Sequence, residues 1–582
     1  MRPKNMKNAT FKTKLFLALL VAAALFLTPV AFAAAPGITG PTFTLTAQDS
    51  YLNMPDGEAI YSWGYGCNGA PAGFQPTMAN QACPSMQVPG PTLIVNEGDA
   101  VSVTLTNNLP AVAGNTSILF PGFTVTATGG VTGLLTQEAV PTGSVVYTFT
   151  ASAPGTHPYY SGTQGDLQIE MGLYGAVIVL PANIPGNCTA GYHALNTTAQ
   201  GVWGETDFRL KNKAGVRGAA YDHPGSCYDR EYLFQWAEMD HRIHTQAEAQ
   251  VRAAAAGTCT AGSGVTVGCS LDVQTEPYHP AYFLINGRSM PDLMDPNFAS
   301  EYPHQPYNGN PHLHPGELML LRTIGQGRWE HPFHEHANHV RILARDGNLQ
   351  LTSNTTQVSY GSGLSGDTGV TGPGLAGLLM FNTDTTPGEA FDGIFYYTGR
   401  GLNWDPFGHH VPLPGTTAGT APSDPYGDAN ATLPCTPDVN GYNSSATGAI
   451  NFMEWCQDHY KPVQVNPFGD VPAGGPATFP DPNVFTNGAW YSGTPYFGPD
   501  ANLRAGSPQC VQNASTGATT NYTQCTNLQP ANVQANPPNE RGWAFMWHSH
   551  NEREITTNNV FPGGMLMMLL IDSREFVIDE SQ

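Results

Sequence analysis

The stretch PTLIVNEGDAVSVTLTNN, residues 91–108, indicates how this chain folds. Apolar residues run through LIV and alternate with polar ones in VSVTLT, and Glu97-Gly98-Asp99 separates the two runs with turn-forming residues. Because successive side chains of a strand point to opposite faces, the pattern predicts two strands joined by a short turn.

Similar runs continue along most of the chain, which at 582 residues is too long for one compact core. Residues 36–182 contain TFTLTAQ, SVVYTFTAS and GLYGAVIVLP and predict one β domain. A polar connection at 183–227 leads to a second β region at 228–582. QAEAQVRAAAAG, at 246–257, is the segment that favours a short helix. The predicted fold class is therefore all-β, with two domains.

A long stretch at about 399–540 interrupts the second region. It is rich in Pro, Gly, Asn and Thr, contains four cysteines and has little periodicity. A loop of this length inside a compact domain is unusual and often functional, so we interpret it as an insertion that covers one end of the second domain. A poorly ordered decoration is the alternative interpretation.

The N-terminal segment has the pattern of a secretory signal. Five basic residues precede an apolar run that ends in Ala31-Phe32-Ala33. A membrane anchor is the alternative, but the run is short and Thr28-Pro29 interrupts it. We therefore expect cleavage after residues 1–33, no transmembrane segment in the remaining chain, and a secreted, periplasmic or cell-surface location.

The charge balance narrows the choice of partners. The formal net charge is -22, and removal of five basic and no acidic residues with 1–33 gives -22 - 5 = -27. A surface this acidic argues against nucleic acid or anionic lipid as a partner.

Ten cysteines, an even number in a chain predicted to be exported, favour disulfides that pin loops. Their order along the chain suggests sequence-local couples, although sequence does not determine which cysteines pair. The couples are Cys67 with Cys83, Cys188 with Cys227, Cys259 with Cys269, Cys435 with Cys456, and Cys510 with Cys525.

Two apolar segments each contain a His-x-His pair. His334 and His336 share one face of a strand in HPFHEHANH, and His548 and His550 share one face in MWHSH. Two such pairs on neighbouring strands bring four imidazoles together, and imidazole suits copper and zinc. The four histidines are therefore the predicted metal ligands.

The remaining histidines fit this pattern less well. His331 and the residue between the second pair, Ser549, are out of phase with the pairs and should lie on the other side of the strands. His339 is expected to be a packed or surface histidine. His312 and His314 lie in a Pro-rich segment, for which we expect a loop with exposed imidazoles.

Longer stretches around these motifs resemble the multicopper oxidases, the laccase-like family of cupredoxin domains. VPGPTLIVNEGDAVSVTLTNNLP and GLYGAVIVLP resemble the opening and closing strands of the first domain. HPFHEHANHVRILARDG resembles the third copper motif, and FMWHSHNEREITTNNVFPGGMLMM resembles the fourth. The resemblance implies tandem cupredoxin-like Greek-key β-sandwich domains and copper as the cofactor.

The resemblance also implies roles for individual residues. In that family a type 1 copper passes electrons through a Cys-His bridge to a trinuclear cluster that reduces O2. His334 corresponds to the type 2 ligand of the third motif, and His336, His548 and His550 correspond to type 3 ligands. His331 corresponds to a type 1 ligand.

Much of the family's copper set is missing. The first-domain motifs align with TSILFPGF and GTHPYYSGTQ, in which Leu119, Pro121, Tyr160 and Gly162 stand where histidines belong. We expect Phe120, Tyr159 and Tyr160 to fill the volume that copper would occupy. At the type 1 site, Ser549 replaces the cysteine and Glu554 the spaced histidine, while Met565 survives near the axial position. The predicted type 1 remnant is His331, Ser549, Glu554 and Met565.

These losses argue against a conventional laccase, because serine is a poor copper ligand and no redox relay. One mononuclear ion remains possible at the four histidines, with copper favoured and zinc as the rival. We expect this site to face the first domain, with Glu552 and Glu554 as partners of imidazole N–H groups.

Two functional hypotheses follow. The first is an exported copper-binding protein that retains some copper-dependent oxidoreductase activity. The second is a non-catalytic cell-surface or structural protein with this fold. A homo-oligomer, a trimer by resemblance to two-domain members of the family, is the partner that the sequence suggests.

Overall fold

The computed structural model describes residues 35–396 and 542–571, with gaps, and a few positions between these ranges. The gaps in the first range are 70–73, 76–82, 187, 189–217, 229, 258–270, 314–317, 338, 354–356 and 361–369, and the isolated positions are 436 and 494–496. The predicted signal segment and nearly all of the predicted insertion lie outside the described residues. In the described part of the chain, no helix is long and apolar enough to cross a membrane.

The first part of the chain is built from strands. They are β1 (Gly37–Thr39), β2 (Thr42–Asn53), β3 (Ala59–Cys67), β4 (Phe74–Gln75), β5 (Leu93–Asn96), β6 (Ala100–Asn107), β7 (Thr126–Gly129), β8 (Val131–Thr132), β9 (Gln137–Glu138), β10 (Ser144–Thr150), β11 (Gly155–Tyr160) and β12 (Tyr174–Leu180).

These strands form two sheets that we call the first sandwich. One sheet has the order β11-β12-β5-β1-β4, the other has the order β3-β2-β6-β10-β7, and β8 and β9 form a separate hairpin. Leu93 and Val177 from one sheet share a buried core with Leu105 and Tyr147 from the other. The core follows from the alternation of apolar residues along each strand.

The stretch at residues 91–108 connects the two sheets instead of forming a hairpin. β5 lies in the first sheet and β6 in the second. At the turn between them Gly98 has a φ of 90°, and the Asp99 carboxylate accepts a hydrogen bond of 2.8 Å from the backbone N–H of Asn96. The turn residues therefore carry the chain from one layer to the other.

The second part contains the remaining strands. They are β13 (Arg230–Met239), β14 (Tyr282–Ile285), β15 (His312–Leu313), β16 (Leu318–Gly325), β17 (His331–Glu335), β18 (Val340–Arg345), β19 (Asn348–Leu349), β20 (Gln357–Tyr360), β21 (Val370–Pro373), β22 (Leu379–Met380), β23 (Asn382–Thr385), β24 (Ala390–Tyr396), β25 (Thr494–Tyr496), β26 (Gly542–Ser549) and β27 (Leu566–Ile571).

These strands form the second sandwich. One sheet has the order β14-β13-β16-β24-β18-β19, with β22 also on β18, and the other has the order β15-β27-β26-β17-β23, with β25 also on β26. β20 and β21 pair only with each other among the described strands. Trp236 and Phe395 from the first sheet share a buried core with Phe333 and Trp547 from the second. The predicted tandem cupredoxin-like β-sandwiches are confirmed.

Helices are few in the described residues. α1 (Gly165–Gln168) is a single turn, and α2 (His241–Ala255) is the predicted short helix, which begins earlier than its alanine-rich part suggested. The Asp240 side chain caps α2 by accepting a hydrogen bond of 3.0 Å from the Arg242 backbone N–H. Three 3-10 turns occupy Ala111–Ala113, Pro224–Ser226 and Asp292–Met294.

The first sandwich packs against the outer face of the β13-β16-β24 sheet. Ile94 and Ile178 share a buried apolar cluster with Leu233 and Ile324 of the second sandwich. Polar groups join this interface too, since the Asp392 carboxylate accepts hydrogen bonds from both the backbone N–H and the hydroxyl of Thr156. One sheet of the second sandwich is thereby covered.

Two of the predicted cysteine couples are disulfides. Cys67 bonds Cys83, and Cys188 bonds Cys227. The first bond ties the end of strand β3 to the segment between β4 and β5.

The other three cysteine couples lie outside the described residues, so their pairing stays a prediction. Their members are Cys259 and Cys269, Cys435 and Cys456, and Cys510 and Cys525.

Candidate metal centre

The two strands that carry the His-x-His pairs are neighbours. β17 and β26 pair antiparallel, with His334 opposite His548 and Phe333 opposite Ser549. Phe333 and Trp547 point into the core of the second sandwich. Since side chains alternate, the histidine pairs lie on the outer face of this sheet.

Three of the four predicted ligands converge. One nitrogen from each of His334, His336 and His548 lies within 4.8 Å of the others, and Nε2 of His336 is 3.3 Å from Nε2 of His548. His550 is exposed, with its ring centroid 4.9 Å from that of His334 and 5.6 Å from that of His548. We call these three histidines, with His550 beside them, the imidazole cluster.

Backbone carbonyls orient two of the rings. Nδ1 of His334 is 2.5 Å from the Phe381 carbonyl oxygen, and Nδ1 of His548 is 2.6 Å from the Ser549 carbonyl oxygen. Each contact places the proton on Nδ1, because a carbonyl can only accept. The Nε2 atoms of these two rings then carry the lone pairs that can bind a metal, as in sites where a backbone group fixes the tautomer of a ligand.

The cluster also favours neutral imidazoles. Burial lowers the pKa of His334 and of His548, and burial together with the neighbouring histidines lowers the pKa of His336 to about 4. A histidine must be deprotonated to bind a metal, so these rings are ready to do so at neutral pH. Three neutral nitrogen donors with an exposed fourth fit copper or zinc.

The expected position of the cluster relative to the first domain is wrong. Within one chain the first sandwich covers the β13-β16-β24 sheet, whereas the cluster lies on the outer face of the opposite sheet. Alternation along β17 and β26 decides this: the faces directed to the core carry Phe333 and Trp547. The cluster is thus directed away from the chain's own first domain.

The four residues of the predicted type 1 remnant meet on the core side of the sheet. Nδ1 of His331 is 2.9 Å from Oε2 of Glu554, and the Ser549 hydroxyl donates a hydrogen bond of 2.5 Å to the same oxygen. Met565 is fully buried, and its backbone bonds to both Ser549 and Glu554. Glu554 therefore serves His331 and Ser549, and the expectation that it holds an N–H of the imidazole cluster is wrong.

Glu238 is a member of this group that the sequence did not indicate. Its Oε2 lies 2.9 Å from Nε2 of His331, so the imidazole is held between two buried carboxylates. Burial alone would lower the pKa of His331, but the hydrogen bonds that its ring N–H groups donate to both carboxylates, and the charges of these carboxylates, raise it to about 9. Both ring nitrogens of His331 contact carboxylates, so neither nitrogen is available to bind a metal. The sequence feature that points to Glu238 is its acidic side chain inside the otherwise largely apolar strand REYLFQWAEM.

A chain of polar groups extends from here into the first sandwich. The Tyr278 hydroxyl lies 3.2 Å from Oε1 of Glu238 and donates a hydrogen bond of 2.6 Å to Glu170. Glu170 in turn lies 3.6 Å from Nε2 of His244, and both of these side chains are buried. Glu238, which holds His331, thus also contributes to polar contacts between the two sandwiches.

The other sequence candidates lie apart from the cluster. His312 is half-buried in β15, and its backbone N–H bonds the Tyr232 hydroxyl, so the expected exposed loop is wrong for this residue. His314 lies outside the described residues. His339 is half-buried, with its ring 5.1 Å from that of Phe381, and Glu552 is exposed.

The two first-domain segments in which the resemblance leads us to expect histidines are adjacent. Leu119 and Tyr160 exchange backbone hydrogen bonds of 2.7 and 3.3 Å, and Gly162 lies against the Leu119 side chain. Phe120 and Tyr159 point the other way, into the core of the first sandwich. They belong to that core, so the expectation that they fill a former copper volume is wrong for these two.

Comparison with known proteins gives the same family in part of the chain. Residues 77–184 match the family model described as multicopper oxidase. The multicopper oxidase MCE of Talaromyces pinophilus is 38% identical over 103 residues, which is 17% of this chain and 16% of that protein. The copper-containing nitrite reductase of Alcaligenes xylosoxydans xylosoxydans is 30% identical over 187 residues, 31% of this chain and 53% of that protein.

A blue copper oxidase from Nitrosomonas europaea is similar in structure, with a TM-score of 0.38 and 14% sequence identity. The superposition covers 91% of this chain and 85% of the blue copper oxidase chain. The matched segments span less than two thirds of the length of the two curated relatives. The chain is multicopper oxidase-like, and its fold is one that binds copper in that family.

Proposed function

We propose that this multicopper oxidase-like protein binds a single copper ion at the imidazole cluster. His334, His336 and His548 would hold the ion, and His550, which is exposed beside them, would complete the set. The observation that carries the proposal is the convergence of three nitrogen atoms within 4.8 Å, two of them on rings whose Nδ1 atoms are turned to carbonyls.

Copper is preferred over zinc on chemical grounds. Neutral imidazoles bind both metals, but the affinity of a nitrogen site for divalent ions is greatest for copper. Bound copper would supply one-electron redox chemistry. The exposure of His550 leaves the ion accessible to small molecules from solvent, which is the basis for a residual oxidoreductase activity.

Laccase-type reduction of O2 is not part of the proposal. Serine and a glutamate-bound histidine occupy the place of the electron-donating copper, and Leu119 and Tyr160 pair where ligands of the trinuclear cluster would be. The same observations favour a second candidate, a non-catalytic structural protein in which the metal only joins β17 to β26. We place the protein outside the cell or at its surface, and the two disulfides among its described residues support this location.

The first test compares metal content. A variant with His334→Ala and His548→Ala should lose the ion, whereas wild type should hold one copper per chain and show an electron paramagnetic resonance signal without blue colour. His241→Ala with His279→Ala is the matched control, since neither side chain is buried and both belong to other segments. Equal copper content in all three proteins would refute the site. Zinc in place of copper after loading with both metals would support the zinc alternative.

A further inference from the structure

Two methionines extend the outer face that carries the imidazole cluster. Met546 lies between Phe545 and Trp547, which both point into the core of the second sandwich, so its side chain is directed to the outer face. The same holds for Met568, between the core residues Met567 and Leu569. Both methionines are half-buried.

The strand register places these thioethers beside each other and beside the cluster. Met546 and Met568 are direct partners across β26 and β27, and such partners have Cβ atoms about 4.5–5.5 Å apart. Met546 is two residues from His548 on the same face, a step of about 6.6 Å along a strand. Met side chains are unbranched and flexible, so their sulfur atoms can cover this distance.

Met546 is also close to His336. The pairing of β17 with β26 ends with Glu335 opposite Trp547, and His336 and Met546 are the residues that come next on the two segments. The Trp547 indole N–H donates a hydrogen bond of 3.0 Å to the His336 carbonyl, so the two strands are still in contact at this point. The Met546 position is therefore next to the positions of two cluster residues, His336 and His548, on the face that carries the rings.

Thioethers change which ion such a site prefers. Sulfur of methionine is a soft ligand that selects Cu(I), whereas zinc is bound by imidazole, thiolate and carboxylate. No cysteine neighbours the cluster among the described residues, so methionine is the soft donor available there.

We propose that Met546, supported by Met568, is a thioether ligand that lets the imidazole cluster bind Cu(I) and discriminate it from Zn(II). This proposal rests on the proposed function, because it adds a ligand to the same site. With this ligand the cluster binds Cu(I) as well as Cu(II). Strand β26 then contributes both a nitrogen donor, from His548, and a sulfur donor, from Met546.

The test uses a double variant that carries both Met546→Leu and Met568→Leu. It is compared with the wild type and with the single variant Met567→Leu. The control makes the same substitution one residue away on the core side, where a volume-conserving exchange is tolerated. Affinity for Cu(I) is measured by competition with a chromophoric Cu(I) chelator without oxygen, and affinity for Zn(II) by competition with a zinc indicator. Copper X-ray absorption reports any sulfur neighbour.

We expect the Cu(I) affinity of the double variant to fall by at least about tenfold. Replacing a residue that only supports a metal's ligands typically lowers the affinity by about 10–100-fold, so the loss of a ligand should not be smaller. Its Zn(II) affinity should equal that of wild type, and the sulfur signal should disappear. Unchanged Cu(I) affinity, or equal losses for both ions, would overturn the inference while leaving the histidine site in place. Wild type that binds no copper at all would overturn the proposed function, and this inference with it.

Discussion

Ser549 lies between two predicted ligands but belongs to a different environment. Its side chain is fully buried on the core side, where it donates a hydrogen bond to Glu554. Glu554 and Glu238 hold His331 between them. At this scale the residues expected to form a type 1 remnant are a buried ion group, in which an imidazolium lies between two carboxylates.

The raised pKa of His331 predicts how stability depends on pH. A histidine whose pKa is about 9 in the folded protein and about 6.5 when unfolded stabilises the fold fully below pH 6.5, and this stabilisation is lost as pH rises through 9. The loss in free energy of unfolding should be on the order of 3 kcal/mol. Urea unfolding of the wild type at several pH values between 6 and 9.5 measures it.

The matched comparison uses two neighbouring glutamates. Glu554→Gln removes one of the two carboxylate charges next to His331, so the free energy of unfolding should decline less steeply as pH rises. Glu552→Gln changes an exposed carboxyl and should leave the decline unchanged. If both variants follow the wild-type curve, His331 does not control the pH dependence.

At the scale of strands, the two sheets of the second sandwich have different roles: one carries the imidazole cluster, and the other packs against the first sandwich. The β15-β27-β26-β17-β23 sheet carries the imidazole cluster on its outer face, and the β13-β16-β24 sheet carries the buried contacts to the first sandwich. In the latter, Arg322 of β16 lies between Glu231 of β13 and Asp392 of β24, and all three are buried.

Arg322 is therefore predicted to fasten three strands and the first sandwich together. Arg322→Ala leaves the two carboxylates without their cation, and removal of one partner from a buried ion pair typically costs about 3–5 kcal/mol. Denaturant unfolding should show this loss. Arg252→Ala, which removes an exposed arginine paired with Glu248, should leave the midpoint unchanged. A similar midpoint for both variants would contradict the role of Arg322.

For the whole molecule, the position of the cluster bears on assembly. The first sandwich of the same chain cannot cover the outer face of β17 and β26, because it occupies the opposite side of the second sandwich. Phe381, whose ring lies 5.9 Å from that of His334, is 49% exposed, and Leu378, three residues before it in the chain, is 68% exposed. The homo-trimer expected from the sequence resemblance would let another copy of the chain cover this face.

We predict a trimer in solution, with a mass about three times that of the chain by light scattering after gel filtration. Phe381→Asp with Leu378→Asp should give monomers, because a charge in an apolar contact must be desolvated. Val560→Asp, an equally exposed site at 63%, should remain trimeric. A wild-type protein that is monomeric at every concentration would exclude the trimer.

Much of the architecture could be predicted from the sequence. Alternating residues marked the strands of both sandwiches, and they assigned the two His-x-His pairs to one face and His331 with Ser549 to the other. These are local properties, because the side-chain period of a strand is set by the backbone itself.

Other features of the site were decided by the tertiary structure. Glu238 reaches His331 across 93 residues and Glu554 across 223, and nothing in the local patterns of these segments specifies such contacts. The face that the first sandwich covers, and hence the direction of the cluster, depends on how two layers pack. The sequence by itself therefore determined which side chains share a face, while only the folded chain decided which faces meet, because alternation is repeated along one strand and packing joins strands far apart in the chain.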